Sequence, residues 1–162
     1  MSEEVLDRAA PAILNAGALA GALDIAAACV QGWFQGRSPV RVLQSVASGW
    51  LGRESYMHGV ASAALGFVTH FTIATCWAAG YWAASRVLRV LVRRAWICGA
   101  LYGLLVYAVM YEVVIPLSAI HRHVQRTQQA LIIGLLVHVF CVGLPIALTV
   151  RGHTSRRDTS TN

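Results

Sequence analysis

The sequence contains no lysine, because all 13 of its basic residues are arginines. Charged residues of both signs make up only 12% of the chain, whereas about a quarter is usual for a soluble domain. Apolar residues make up 57%, which excludes an ordinary water-soluble protein and a disordered one. The 162 residues suffice for one domain of ordinary size.

Motifs that carry catalysis are also missing. The sequence has no glycine-rich phosphate loop, no nucleophile elbow and no H-E-x-x-H, so we do not expect an enzyme. A lone H-x-H at residues 121–123 is interpreted as a solvated turn. The cysteines stand singly in apolar stretches, without C-x-x-C spacing, and are interpreted as small packing residues that require no cofactor. They are Cys29, Cys76, Cys98 and Cys141.

Long apolar runs dominate the chain. Four of them reach the roughly 20 residues that a helix needs to cross a hydrocarbon core, namely residues 12–34, 59–84, 95–120 and 130–150. The sequence therefore predicts an all-α fold, a polytopic four-helix membrane bundle that forms a single transmembrane domain over residues 1–162, with a short polar tail at 151–162. Trp33, Trp82 and Trp96 lie near the ends of runs and are interpreted as interfacial anchors.

The arginines concentrate at the ends of the apolar runs. Eight fall on the side that carries both termini and five on the other side. The first group is Arg8, Arg86, Arg89, Arg93, Arg94, Arg151, Arg156 and Arg157, and the second is Arg37, Arg41, Arg53, Arg122 and Arg126. Because arginine-rich connections stay in the cytoplasm, we predict both termini there. Anionic membrane lipid, rather than nucleic acid, is then the expected partner of the positive charge.

A shorter segment between the first two runs predicts a helix that lies flat in the outer interface. Ser38 can cap its start, Pro39 suits a first helical turn, and Gly52 can end it. Over residues 39–51 the apolar residues recur at helical spacing, with polar residues on the opposite side. The apolar side is Leu43, Val46, Ala47, Trp50 and Leu51, and the polar side is Arg41, Gln44, Ser45 and Ser48.

The chain shows signs of an internal repeat. GALAGALD at residues 17–24 and GALYGLLV at residues 99–106 agree at five of eight positions. Glycine also precedes histidine by four residues in the second and fourth runs, at 66–70 and 134–138. A two-span unit that occurs twice would place its copies around an axis along the membrane normal. Since glycine, alanine and leucine are common in any span, chance similarity is the alternative.

Small residues mark the faces where membrane helices approach closely, so we expect tight packing at Gly17, Gly21, Gly66, Gly99, Gly103 and Gly134. On a helical wheel Asp24, His70 and His138 each lie within about 40° of one of these glycines. At about 1.5 Å per residue, the three polar residues also share one depth, roughly 12–16 Å from the ends of their spans. We therefore expect them to point together into the bundle.

Glu112 is the fourth ionisable residue of this polar cluster, but it does not share that face. It lies about 180° from Gly103 on the same wheel. Pro116 cannot donate a hydrogen bond to the carbonyl of residue 112, so we expect the helix to bend there. Glu112 would then line an outer opening or reach headgroup water.

The cluster of Asp24, His70, His138 and Glu112 has four interpretations. As a hydrogen-bonded pin, it would fix which helices pack together. As a pathway, it would carry protons or a small solute through changes of protonation. His70 and His138 could instead be the axial ligands of a haem. Asp24 with both histidines could bind zinc or iron.

The sequence around these residues resembles a known group. The segments GALAGALD, RVLQSVASGWLG, GFVTHF, YGLLVYAVMYEVVIPLSA and HVFCVGLPIAL are similar to those of a broad group of small bacterial inner-membrane proteins. More distantly, the chain resembles the YagU-like membrane proteins, which also have four spans and a histidine in the second and fourth. The resemblance covers about residues 17–148 and implies a four-span protein of the bacterial inner (plasma) membrane. It assigns no catalytic residue.

These features predict a non-enzymatic integral membrane protein, either an accessory or packing subunit or a small conduit for protons or a solute. The alternative is a haem- or metal-binding redox protein that uses His70 and His138. Four spans expose much of their surface to lipid, so we also expect self-association or docking on a larger membrane complex. Membrane lipid is an expected partner, and nucleic acid is not.

Overall fold

The computed structural model describes the backbone of residues 3–120 and 127–158, and the side chains of residues 9–120 and 127–154. Within these ranges the chain is helical and forms no strand. Four helical segments are long and apolar enough to cross a membrane, which confirms the four predicted spans. They are span 1 (Ala9–Phe34), span 2 (Gly59–Val87), span 3 (Ala95–Leu117) and span 4 (Gln128–Thr154).

The helices follow the predicted order with small differences at their ends. Span 1 lies in α1 (Glu3–Phe34), span 2 is α3 (Gly59–Val87), and α2 (Pro39–Leu51) connects them through a 3₁₀ turn at Gly52–Met57. After a short helix, α4 (Val90–Arg93), span 3 contains α5 (Ala95–Val109) and α6 (Ile115–Leu117), and span 4 contains α7 (Gln128–Val137) and most of α8 (Leu144–Asp158). Because α8 continues to Asp158, the first part of the predicted polar tail is helical.

Spans 1 and 2 pack closely along a face of small residues. A Cβ added at Gly17 would lie 2.7 Å from the Cα of Thr75, and one added at Gly21 would lie 2.9 Å from the ring of Phe71. Backbones this close need glycine, because any larger side chain would push the helices apart. Span 1 also packs against span 4.

Spans 3 and 4 form the second close pair. A Cβ added at Gly99 would lie 2.8 Å from the Cβ of Ala147, and one at Gly103 would collide with the backbone of His138. Gly134 faces the ring of Tyr107, with 2.6 Å between an added Cβ and Cε2. Gly143 of span 4, which the sequence analysis did not single out, would collide with the backbone of span 3 at Gly99 and Gly103.

Alanine at Gly143 should therefore destabilise the protein. The added methyl group would meet backbone atoms, among them the Cα of Gly103 at 2.7 Å, and these cannot rotate away. Overpacking of this kind costs about 1–3 kcal/mol, so we expect the thermal unfolding midpoint in detergent to fall by roughly 5–10 °C.

Gly80→Ala is the matched control for this variant. A Cβ at Gly80 would lie 3.5 Å from the hydroxyl of Tyr102, which is an ordinary contact. Since alanine favours helix over glycine, we expect an unchanged or slightly higher midpoint for Gly80→Ala. Equal midpoints for the two variants would show that spans 3 and 4 can separate at Gly143 without cost.

The start of α1, the end of α8 and the connection over residues 88–94 lie at one end of the bundle, called here the terminal end. The opposite end, which carries α2, is called the α2 end. A core fills the terminal end. Tyr81, Ile146 and Val150 are almost completely buried there. The hydroxyl of Tyr81 donates to the carbonyl of Leu91 at 2.9 Å, and the ring of Tyr81 packs edge-on against Tyr102. Spans 2 and 3 therefore meet through aromatic side chains at this end.

The ends of α2 agree with the prediction. The hydroxyl of Ser38 accepts a hydrogen bond from the backbone N–H of Arg41 at 3.3 Å, and Pro39 occupies the first turn. The helix ends at Gly52, whose φ of 58° lies in the region that favours glycine.

The predicted orientation of α2 is wrong in part, because two residues of its polar side are buried. Gln44 donates from Nε2 to the carbonyl of Gly59 at 2.9 Å, and the hydroxyl of Ser48 donates to the carbonyl of Ser45. Trp50, predicted on the apolar side, is 68% exposed. The cause is packing against span 2, where Gly66 lets the backbone of α2 approach. The helix is thus joined to the bundle by satisfied polar groups as well as apolar ones.

A π-helical turn interrupts span 3 at Met110–Val114, and another interrupts span 4 at His138–Gly143. In each turn a backbone N–H bonds to the carbonyl five residues earlier, from Ile115 to Met110 and from Leu144 to Val139. Each turn ends two residues before a proline, Pro116 or Pro145. Proline lacks an N–H and crowds the carbonyl four residues before it, and the wider turn relieves that crowding. The irregularity expected near Pro116 therefore takes the form of a π turn.

Candidate functional site

A half-open cavity of about 620 Å³ lies under α2, lined mainly by spans 2 and 3. Spans 1 and 4 and α2 complete its wall. Protein interiors contain few voids larger than a water molecule, so this cavity is too large to be an ordinary packing defect. Its volume falls within the range of about 300–1,000 Å³ that is usual for small-molecule sites.

The structure places Asp24, His70 and His138, from three different spans, on the wall of this cavity. Nε2 of His70 donates to the carbonyl of Gly21 at 2.9 Å and lies 4.0 Å from Oδ2 of Asp24. His138 lines the same cavity from span 4. These groups therefore surround a shared space in which a ligand could meet all of them.

The hydrogen bonds define which ring nitrogens carry protons. A carbonyl oxygen can only accept, so Nε2 of His70 is protonated, and Nδ1 is the acceptor of the neutral ring. His138 has the opposite arrangement, because its Nδ1 donates to the carbonyl of Gly134 at 3.0 Å. Its ring also packs edge-on against Tyr107 at 5.1 Å between centroids. In each neutral ring one nitrogen is thus left to accept a proton or a hydrogen bond.

Asp24 is the only acidic residue on the wall, and no arginine among the described residues lines the cavity. Within residues 9–120 and 127–154, no hydrogen bond to its carboxylate is formed by any side chain. The 4.0 Å separation from His70 is too long for a hydrogen bond. The cavity wall therefore carries one negative charge that its neighbours leave largely uncompensated.

Several aromatic and hydroxyl residues complete the wall, and the sequence analysis did not assign them to a site. Trp50, Trp77 and Tyr111 line the cavity, and Nε1 of Trp50 donates to the hydroxyl of Thr69 at 3.1 Å. One signal pointed to Trp77, which follows His70 by seven residues and so lies on the same face of span 2. Trp50 lies on the cavity because α2 packs against span 2.

The cavity is closed toward the terminal end. Trp77, Val106 and Val142 line it, and the hydroxyl of Tyr102 donates to the carbonyl of Trp77 at 2.7 Å. The core around Tyr81 lies beyond. At the α2 end, the backbone N–H of Ala119 donates to the carbonyl of Gly49 at 2.9 Å and so ties α2 to the segment after span 3. The cavity consequently lies in the half of the bundle that carries α2.

Glu112 does not join the other three ionisable residues. Its side chain is exposed, it belongs to the π turn of span 3, and it is absent from the cavity wall. Its exposed position agrees with the direction predicted for it, away from the face of Gly103.

The positions of the polar groups bear on the metal and haem interpretations. Among the described residues, no three His, Cys, Asp or Glu side chains lie close enough together to hold a metal ion. Asp24, His70 and His138 therefore do not form the zinc or iron site that their chemistry allows. Haem ligation through Nε2 of His70 would require breaking its bond to Gly21. The H-x-H of His121 and His123 lies outside the described residues.

The four cysteines remain single. Cys76 is exposed on the outside of span 2, and Cys29, Cys98 and Cys141 are partly buried, all as free thiols. Trp33 and Trp96, predicted as interfacial anchors, are 76% and 61% exposed near the ends of spans 1 and 3.

Comparisons of the chain with models of protein families, with curated proteins and with solved structures give no match. Inference about function must therefore start from the cavity itself.

Proposed function

We propose that the chain is a non-enzymatic, multi-pass membrane protein that admits a proton or a small solute to the cavity lined by Asp24, His70 and His138. One observation carries this proposal: ionisable groups from three spans surround a space of about 620 Å³ instead of packing against one another. Polar groups that served only to hold the helices together would be in direct contact and leave no void. An accessory or packing subunit is the function that would remain if the cavity proves inert.

The free-energy cost of placing these ionisable groups in a membrane supports the same conclusion. An ionisable side chain at the centre of a membrane costs a few kcal/mol, and such residues mark ion, proton or substrate pathways more often than chance. Asp24 lies within span 1 and receives no hydrogen bond from the described side chains. The free-energy cost of placing Asp24 in the membrane is therefore not offset by such a hydrogen bond. A function at the cavity would explain why the residue is there.

We place the protein in the bacterial inner membrane with both termini in the cytoplasm. Eight arginines on the terminal side against five on the other side support this orientation, as does the resemblance to small four-span inner-membrane proteins and, distantly, to YagU-like membrane proteins. The half of the bundle that contains the cavity would then face the outer side of the membrane. Membrane lipid, a second copy of the chain or a larger membrane complex would contact the exposed faces of the spans.

We also propose that the bundle contains two copies of a two-span unit. Gly17 meets Thr75, five residues after His70, and Gly99 meets Gly143, five residues after His138. In the same way Gly21 and Gly103 meet the residues that directly follow the two histidines. Equivalent glycines thus make equivalent contacts, which chance similarity in composition does not explain. The acid at Asp24 is not repeated, since Val106 stands in the equivalent position of the second copy.

The pathway proposal predicts that Asp24→Asn lowers proton flux. We expect a fall of about tenfold in proteoliposomes that contain a pH-sensitive dye and carry an imposed membrane potential, because asparagine cannot bind or release a proton. His70→Gln should also lower the flux. Glu54→Gln, in the 3₁₀ turn after α2, and His58→Gln, at the start of α3, are the matched controls, since neither residue lines the cavity.

Unchanged flux in both Asp24→Asn and His70→Gln would contradict a proton pathway. Elution from a sizing column separates this outcome from misfolding, because a misfolded variant would not elute like the parent protein. The accessory or packing function would then be the better explanation of the fold.

A further inference from the structure

We infer that the cavity binds an apolar molecule carrying a single positive charge, and that the carboxylate of Asp24 holds that charge. The inference rests on the proposed function and names the chemical class of its solute. It follows from the charge of the wall, from the hydrogen bonds around Asp24 and from the aromatic residues beside it.

The charge of the wall favours a cation. With histidine counted as neutral, Asp24 carries the only formal charge among the described lining residues. The sequence has no lysine, and no arginine within the described residues reaches the cavity. Among the described lining residues an anionic ligand would meet the carboxylate of Asp24 and no compensating cation, so charge complementarity disfavours fatty acids and phosphates at this site.

The hydrogen bonds leave room for one more partner at Asp24. The group nearest to its carboxylate among the described ion pairs is Nε2 of His70 at 4.0 Å, and the proton on that nitrogen is already donated to Gly21 at 2.9 Å. An ionised carboxylate in apolar surroundings is stabilised by a partner of opposite charge. Since no described residue supplies one at contact distance, an ammonium or similar cation in the cavity would complete the pair.

The remaining wall suits the body of such a molecule. Trp50, Trp77 and Tyr111 lie on the same cavity as Asp24, and aromatic rings attract cations through their negative faces. Between them the wall is mainly apolar, with residues such as Val106 and Met110. A volume of about 620 Å³ accommodates an apolar group together with the charged one.

The test compares two probes that differ only in charge. One is a naphthylmethyl group bearing trimethylammonium, and the other bears the isosteric, neutral tert-butyl group. Binding to the full-length protein in detergent micelles is followed by equilibrium dialysis, with empty micelles as the blank. We expect the cation to bind the parent protein about tenfold more tightly than its neutral isostere, because only the cation can pair with Asp24.

Two substitutions assign the effect to the carboxylate. Asp24→Asn should remove the tenfold preference and leave the affinity for the neutral probe unchanged, whereas Asp24→Glu should retain part of the preference. Glu54→Gln, at an exposed carboxylate outside the cavity, should behave like the parent protein. If Asp24→Asn fails to fold, the comparison of the two probes on the parent protein still decides the inference.

Equal affinity of the parent protein for both probes would overturn the inference, as would an unchanged preference in Asp24→Asn. Saturable binding of both probes with equal affinity would leave the cavity as a binding site, so the proposed function would survive with a neutral solute. If neither probe binds above the micelle blank, the inference fails, and the flux assay alone decides the proposed function.

Discussion

Leucine in place of Gly17 should prevent spans 1 and 2 from packing and leave little folded protein. A Cβ at this position would lie 2.7 Å from the Cα of Thr75, so even the first added atom meets backbone. Three further carbons would have to enter the same contact, and no rotamer avoids it. We expect a loss of about 3 kcal/mol or more, seen as aggregation on a sizing column and a fall in the unfolding midpoint.

Ala18→Leu is the matched control for this prediction. It adds an apolar side chain of the same size one residue later, where span 1 is exposed on the outside of the bundle. In a membrane, extra apolar surface at such a position costs little. If Gly17→Leu and Ala18→Leu elute and unfold alike, the close approach of spans 1 and 2 is not needed for stability.

A second large effect is expected when Thr69 is replaced by cysteine in a chain whose own four cysteines are alanine. Thr69 lines the cavity, whereas its neighbour Val68 is 61% exposed on the outside of the same span. A maleimide that cannot enter lipid reacts with the thiolate form, which requires water around the sulfur. We therefore expect Thr69→Cys to react about a hundredfold faster than Val68→Cys in intact membranes.

Residues 68 and 69 are adjacent in sequence, so their depths in the membrane differ little. The comparison therefore tests only which side of the helix each side chain lies on. Added reagent should reach Thr69→Cys from the face of the membrane that carries α2. Equal labelling of the two variants would mean that the cavity does not hold water and that its groups are closed off from solution.

The spans could be predicted from sequence because crossing a lipid core depends on apolar length alone. Residues 12–34 were predicted for the first span and the structure has Ala9–Phe34, while residues 130–150 were predicted for the last and the structure has Gln128–Thr154. In these two spans backbone hydrogen bonding continues past the apolar core, so hydropathy underestimates how far the helices extend. The helix α2 was predicted within its observed bounds, because Ser38, Pro39 and Gly52 act locally.

What depends on neighbouring elements could not be predicted. Gln44 is buried because the carbonyl of Gly59 accepts from it, and no feature of α2 itself reveals that partner. The π turns had a local signal in Pro116 and Pro145, but a proline alone does not determine how a helix relieves crowding.

The candidate site could likewise be predicted from the sequence only in part. The depth of Asp24, His70 and His138 follows from counting residues along the helices, and their direction follows from the neighbouring glycines. The cavity between them is a space that side chains leave unfilled, so it follows only from how all four spans pack. Trp50 and Tyr111 could for that reason be assigned to the site only from the structure.

Both of the closest helix pairs join consecutive spans, 1 with 2 and 3 with 4. Each pair can consequently form a helical hairpin as soon as its second member leaves the ribosome and enters the bilayer. The contact of span 1 with span 4 must wait until span 4 has been synthesised. The cavity wall, to which all four spans contribute, is thus completed only after both hairpins have entered the bilayer.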